Sequence, residues 1–151
     1  MGITRVARTF AMMSKLQFHY IFNIDAAVGD RSPNRRDDVL LIQYMLAVWI
    51  SIEKDPRLKD LMILINGVPS GADGFFGKKT ATEIKMLEAI TNEVNTDGQI
   101  DPITASFATS TGKTRKMLIL NDKLFAAGGL RAGIPQTAVP FPEELKKLLF
   151  R

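Results

Sequence analysis

The 151-residue chain has no cysteine and a single histidine, His19. The first absence excludes disulfides and thiolate metal sites. The second removes the partners that a zinc site of the usual kind needs, and leaves serine–histidine and cysteine–histidine catalysis without support. No apolar run approaches the roughly 20 residues of a membrane span. Near the N-terminus Lys15, Gln17 and His19 interrupt the apolar residues, so no Sec signal peptide is expected. Cytoplasmic synthesis follows as the expectation, with any periplasmic or cell-wall destination reached by another route. Basic runs are also missing. The net charge of +4 comes from 20 basic and 16 acidic side chains. The basic ones fall in short clusters at Arg35-Arg36, Lys78-Lys79, Lys113 to Lys116 and Lys146-Lys147, which excludes a nucleic-acid tail.

What is present is the composition of one ordinary globular domain, with 46% apolar and 24% charged residues. Residues 1–12 read as a loose extension. A strand is expected within 16–28, where Phe18, Tyr20, Phe22 and Ile24 alternate. Asp37 and Asp38 open a helix over about 35–51, their carboxylates facing the positive end of its dipole. Val39, Ile42, Leu46 and Trp49 form its stripe, and neighbouring apolar residues widen it enough to make this helix central. Asp55-Pro56 starts a second helix, stopped by Asn66-Gly67. A third runs over 77–94, with Thr80, Ile84, Leu87, Ile90 and Val94 inward. A fourth apolar segment from Arg115 to Gly129 reads as helix, with strand at Met117 to Leu120 as the alternative. Residues 128–140 read as linker. A last short helix begins at Pro142, with Glu143 and Glu144 in its first turn and Lys146 and Lys147 later, an order that suits the dipole.

The stretch "GADGFFGKKTATEIKMLE", residues 71–88, sets glycines and Lys-Lys-Thr before a helical pattern. A phosphate loop needs Gly-x4-Gly-Lys-Ser/Thr. The one Gly-Lys-Thr is Gly112-Lys113-Thr114, and its required first glycine falls on Phe107. A structural corner is the better reading. Asp73 can accept amide hydrogen bonds, Gly74 and Gly77 permit positive φ, and Phe76 can anchor between helices.

The same residues resemble the signature of the helical peptidoglycan-binding domain family, Asp-Gly-x-Phe-Gly-x-x-Thr, through Asp73, Gly74, Phe76, Gly77 and Thr80. The family's first helix carries Val-x-x-Leu-Gln-x-x-Leu, matched in order by Val39, Ile42, Gln43 and Leu46. The resemblance spans residues 34–90. It implies a mainly α protein: a three-helix bundle over 34–94, preceded by a 1–33 extension with a short strand and followed by a helical 95–151 extension. It implies non-catalytic binding of peptidoglycan, glycan strand or peptide stem, without a cofactor. The expected ligand surface is a groove between the start of the first helix and the loop. There Arg35, Arg36, Lys78 and Lys79 would meet peptide-stem carboxylates, Phe75 would stack on a sugar face, and Asn34 and Asp73 would stand alongside. The alternative is an adaptor for a protein partner, as in a phage-tail-like or secretion assembly, using the fold without glycan. An exposed Phe75 near cations favours the first reading, and a large apolar patch the second.

Two further patterns are present. "TDGQIDPIT" repeats the corner chemistry, with Asp97, Gly98, Ile100 and Thr104 at the places of Asp73, Gly74, Phe76 and Thr80. The twelve residues from Glu93 to Thr104 also fit part of a calcium loop, through Glu93, Asn95, Asp97, Gln99 and Asp101. That loop's usual first Asp and twelfth Glu are absent. A paired-carboxylate hydrolase would need two facing acids. Glu53, Glu83 and Glu88 are available, but no spacing joins two of them, so no enzyme is expected.

Overall fold

The computed structural model describes residues 6–8, 20–92, 96–103, 112–128, 130–131, 134–135 and 137–149. The fold is mainly helical. Its helices are α1 (Arg36–Ile52), α2 (Pro56–Leu61), α3 (Lys78–Ile90), α4 (Gly112–Gly128) and α5 (Glu143–Leu149). Among the described residues the strands form three short antiparallel pairs: β1 (Val6–Arg8) with β2 (Tyr20–Phe22), β3 (Val28–Gly29) with β4 (Gln99–Ile100), and β5 (Leu130–Arg131) with β6 (Ile134–Pro135). Among the described residues, no helix is long and apolar enough to cross a membrane.

α1 is the axis of the molecule. Every residue from Asp38 to Leu46 is buried, so the helix is covered on all sides, as its broad apolar stripe requires. α4 packs along it more extensively than any other helix does, while α3, β3 and α5 cover its remaining faces. Leu40, Trp49, Ile84, Leu87, Met117 and Leu120 meet in one core. Each such side chain stabilises the fold by about 1.5–3 kcal/mol through removal from water. Phe141 and Leu145 fix α5 to that core. Phe141 and Tyr44 pack as a T-shaped pair with ring centroids 5.1 Å apart, and the Tyr44 hydroxyl pairs with Thr137 Oγ1 at 2.8 Å.

Several boundaries depart from expectation. Val6–Arg8 lies in the stretch expected to be loose, and pairs with a strand only three residues long. Ile24 is buried beyond that strand, and Phe18 and His19 lie outside the described residues. The second helix does open on Asp55, whose carboxylate accepts from Arg57 N–H, but it tightens to a 3-10 turn at Met62–Ile65. Asn66 then turns left-handed at φ 54°. α3 stops at Ile90, where Thr91 N–H and Oγ1 both bond the Leu87 carbonyl. Val94 is not described. The 128–140 stretch contains the β5–β6 pair, too short for periodicity to reveal. Gly112 to Thr114 lie in the first turn of α4, so that Gly-Lys-Thr is helix and not a phosphate loop. Met117 to Leu120 are helical as well.

Buried amides and carboxylates tie the segments together. Asn121 on α4 meets the backbone of Phe22, accepting its N–H at 2.7 Å and donating to its carbonyl at 2.9 Å. Asn23 treats Ile103 in the same way, at 2.8 and 2.9 Å. Asp38, fully buried in the first turn of α1, accepts the N–H groups of Asp25 and Ala26 at 3.1 Å each. Burial pushes its carboxyl up to about 6, against the pull of those two bonds. Glu83 is likewise raised by burial. A raised carboxyl binds its proton more tightly in the folded than in the unfolded chain, so stability grows as pH falls through the folded value toward the unfolded one. Asp55, Asp73 and Glu53, all lowered, act only further down, where their stabilisation is lost. Urea unfolding should therefore show about 1 kcal/mol more stability at pH 5 than at pH 7, with Asp38 as the main source. A flat profile between these values would contradict the assignment.

Candidate ligand-binding surface

Two Asp-Gly corners are built alike, and each is held by a buried polar side chain from a helix. At the first, Phe75 N–H donates to Asp73 Oδ1 at 2.9 Å, Gly74 takes φ +81°, and its N–H donates to Gln43 Oε1 at 2.9 Å. At the second, Gln99 N–H donates to Asp97 Oδ1 at 2.9 Å, Gly98 takes φ +73°, and its N–H donates to Glu88 Oε2 at 2.9 Å. The aspartates close the turns, and the glycines supply a backbone angle that other residues adopt at a cost. The similarity seen between the two sequences is thus a similarity of hydrogen bonding. Gly77 differs from expectation: its φ is −124°, an extended N-cap of α3 with no need of glycine's freedom.

Gln43 is the hub of the first corner. Its Oε1 accepts from Asp73 and Gly74 N–H, while Nε2 donates to Asp73 Oδ1, the Phe75 carbonyl and Thr80 Oγ1 at 3.0–3.2 Å. Val39 and Leu46 flank it in the core, and Phe76 is half-buried against the same cluster. The motif residues therefore fasten the loop to α1 and to the first turn of α3. Asp73 is consumed by this network, which holds its carboxyl below the usual range, the Phe75 N–H first and Gln43 second. Asn34 is consumed too, at φ 48°, by a two-way bond with the Gly29 backbone at 2.8 and 2.9 Å.

The network leaves Phe75 in water, 68% exposed. The Arg36 guanidinium stands 5.5 Å from its ring centroid, within cation–π range. Arg36 also fills the space expected to be a groove between α1 and the loop. Its stem crosses Gly74 so closely that a Cβ there would come within 2.8 Å of Cγ and 2.5 Å of Nη1. Its fork pairs with Glu144 of α5. Arg35 and Lys78 are exposed and Lys79 is half-buried. The structure thus brings Arg36, Gly74, Phe75 and Glu144 together, and turns Asn34 and Asp73 to structural use.

At the second corner an internal ammonium occupies the centre of the oxygens. Lys116 Nζ donates to Glu88 Oε2 at 2.5 Å, Asp97 Oδ1 at 3.0 Å and the Gln99 carbonyl at 2.7 Å, and its side chain is 1% exposed. The described part of the expected calcium loop therefore turns two of its oxygens, on Asp97 and Gln99, toward a lysine. Glu93 and Asn95 lie outside the described residues, and Asp101 is half-buried. Among the described residues no group of three or more acids or histidines is placed to hold a metal. The three available glutamates have separate structural uses. Glu53 accepts from Trp49 Nε1 at 2.8 Å and pairs with Lys123, Glu83 binds the Ser70 N–H and hydroxyl, and Glu88 binds Lys116 and Gly98.

Lys116 and Glu144 were not singled out from sequence as site residues. Lys116 left a faint signal, a charge directly before the apolar run Met117 to Leu120. Glu144 left none, since its partner Arg36 stands far up the chain.

Together these features define a class: a small, mainly helical protein that pairs an exposed aromatic ring, on a loop fastened by Gln43, with an arginine from the first turn of α1. The chain matches no protein-family model, no curated protein and no solved structure. The resemblance described above rests on the residues of its two motifs.

Proposed function

We propose that this protein is a non-catalytic binding module of the peptidoglycan-binding type, recognising a carboxylate-bearing glycan or its peptide stems. The observation that carries the reading is Phe75, an exposed ring on a loop whose backbone is immobilised by Gln43, with the Arg36 cation beside it. An aromatic face suits the apolar side of a sugar ring, and the guanidinium suits a carboxylate. A loop ordered in advance loses little entropy on binding. Arg35, next to Arg36 in the chain, and Lys78, the first residue of α3, are further exposed cations.

Retention on insoluble peptidoglycan sacculi at physiological salt is the test. The wild-type chain should sediment with the sacculi, and Phe75→Ala should weaken retention about tenfold or more, as loss of an aromatic anchor does. Thermal unfolding should be nearly unchanged, because that ring stands in water. Wild-type protein left wholly in the supernatant would end this reading.

One observation favours the adaptor reading, in which a protein partner takes the place of glycan. Ile63, Leu64 and Val68 are 75%, 63% and 58% exposed, on the 3-10 turn and the bend after it. The stretch from Leu61 to Ala72 carries no charge. Contiguous apolar exposure of this kind marks contact surfaces. Substituting Ile63 and Leu64 by serine distinguishes the two, since sacculus retention should survive it.

A further inference from the structure

Arg36 presents both arms of its fork to Glu144, Nη1 to Oε2 at 3.0 Å and Nη2 to Oε1 at 3.2 Å. Two parallel bonds of this kind are the geometry by which arginine recognises a planar carboxylate. The guanidinium is held in place before any ligand arrives. Its stem lies on the bare α-carbon of Gly74, its Cζ stands over the Phe75 ring, and Gly74 is itself fixed by Gln43.

We propose that Arg36 is the carboxylate subsite of the Phe75 surface, and that Glu144 is a built-in stand-in which an incoming carboxylate displaces. This rests on the reading of the Phe75 loop as a ligand surface. Three features support exchange over a fixed structural pair. Both side chains are half-exposed, 47% each, so a ligand can reach the fork. Among the described residues Arg36 is the one partner of the Glu144 carboxylate, so its release breaks nothing else. α5 is anchored by Phe141 and Leu145 in the core, so Glu144 can swing into water while its helix stays in place. The exchange replaces one carboxylate with another at the same fork, and its cost is that of an exposed ion pair, a small one. Glu144 acts as a competitor tethered at the site. It lowers affinity for every carboxylate ligand and screens out groups that cannot make both bonds.

The test is an NMR titration of the full chain with N-acetyl-D-alanine, and with its carboxamide as control, following the Gly74 and Phe75 amides and Arg36 Nε–H. Glu144→Gln should bind the carboxylate about two- to fivefold more tightly than wild type, the value of an exposed pair expressed as affinity. The carboxamide should leave all three signals unmoved. Arg36→Lys, which loses the fork, should abolish the gain when combined with Glu144→Gln. Equal affinity in wild type and Glu144→Gln overturns the proposal. So does a carboxamide that binds equally well, or an absence of shifts in both proteins. The sacculus experiment reports separately. A gain in Glu144→Gln with no sacculus retention keeps the carboxylate subsite and discards the wall. Retention with no gain does the reverse.

Discussion

Lys116→Met should lower stability by about 3–5 kcal/mol, the cost of removing one partner from a buried ion pair. For a chain of this length that is a drop on the order of 10 °C in thermal midpoint. All three ammonium protons are in use, on Glu88, Asp97 and the Gln99 carbonyl. Methionine fills the volume but leaves the Glu88 carboxylate, 4% exposed, with one remaining Gly98 N–H and no cation between it and the oxygens of Asp97 and Gln99. The damage should therefore depend on the charge left behind. In Lys116→Met/Glu88→Gln the amide oxygen still accepts from Gly98 and no buried charge remains, so the double variant should recover at least half of the loss. Circular dichroism melts of the four proteins in the cycle measure this. A single variant within 1 kcal/mol of wild type would show that the second corner is held by something other than its ammonium.

Gln43→Leu should cost about 2–4 kcal/mol, since two backbone N–H groups lose their side-chain acceptor, one of them buried with no other partner among the described residues and one left with the Gly71 carbonyl alone. Those groups belong to Asp73 and Gly74, and Thr80 Oγ1 and the Phe75 carbonyl lose a donor at the same time. The effect should be local before it is global. Hydrogen exchange at the Gly74 amide should accelerate far more than at the α1 amides. Sacculus retention should fall as well, although Gln43 is buried and cannot touch a ligand, because Phe75 is no longer held in position. Unchanged exchange at Gly74 would remove Gln43 from its place as hub.

The two variants mark the limits of what the residues alone disclosed. Gln43 and the Asp-Gly corner were legible because they recur as a motif and because turn chemistry is local: Asp73 bonds a residue two positions on. α1 was legible because Val39, Ile42, Leu46 and Trp49 fall at helical spacing, and all four are buried. Lys116, Asn121 and Asp38 were not. A buried polar side chain looks in sequence like an exposed one, and its partner is chosen by the fold. Asp38 shows the difficulty most plainly. Its place in a first helical turn suggested a carboxylate facing the dipole, and that spacing gave no sign of its burial or of its bonds to the backbone of Asp25 and Ala26. The exposed side of the candidate surface followed the same rule. Phe75 could be named in advance, but the pairing of Arg36 with Glu144 joins residues 108 positions apart, beyond the reach of any periodicity.

Asn121 has a bearing on how the molecule meets its own copies. Its carboxamide takes both the N–H and the carbonyl of Phe22, on the side of β2 turned away from β1, and so supplies at that residue what a further strand would. A strand left open there would be a template for another chain. Here a side chain from α4 terminates the pairing, and the two-stranded ribbon cannot grow into a larger sheet through Phe22. The same bonds act as a gauge, since slippage of β2 by one position would present Ile21 or Asn23 to the carboxamide and bring the core-facing ring of Phe22 to the wrong face.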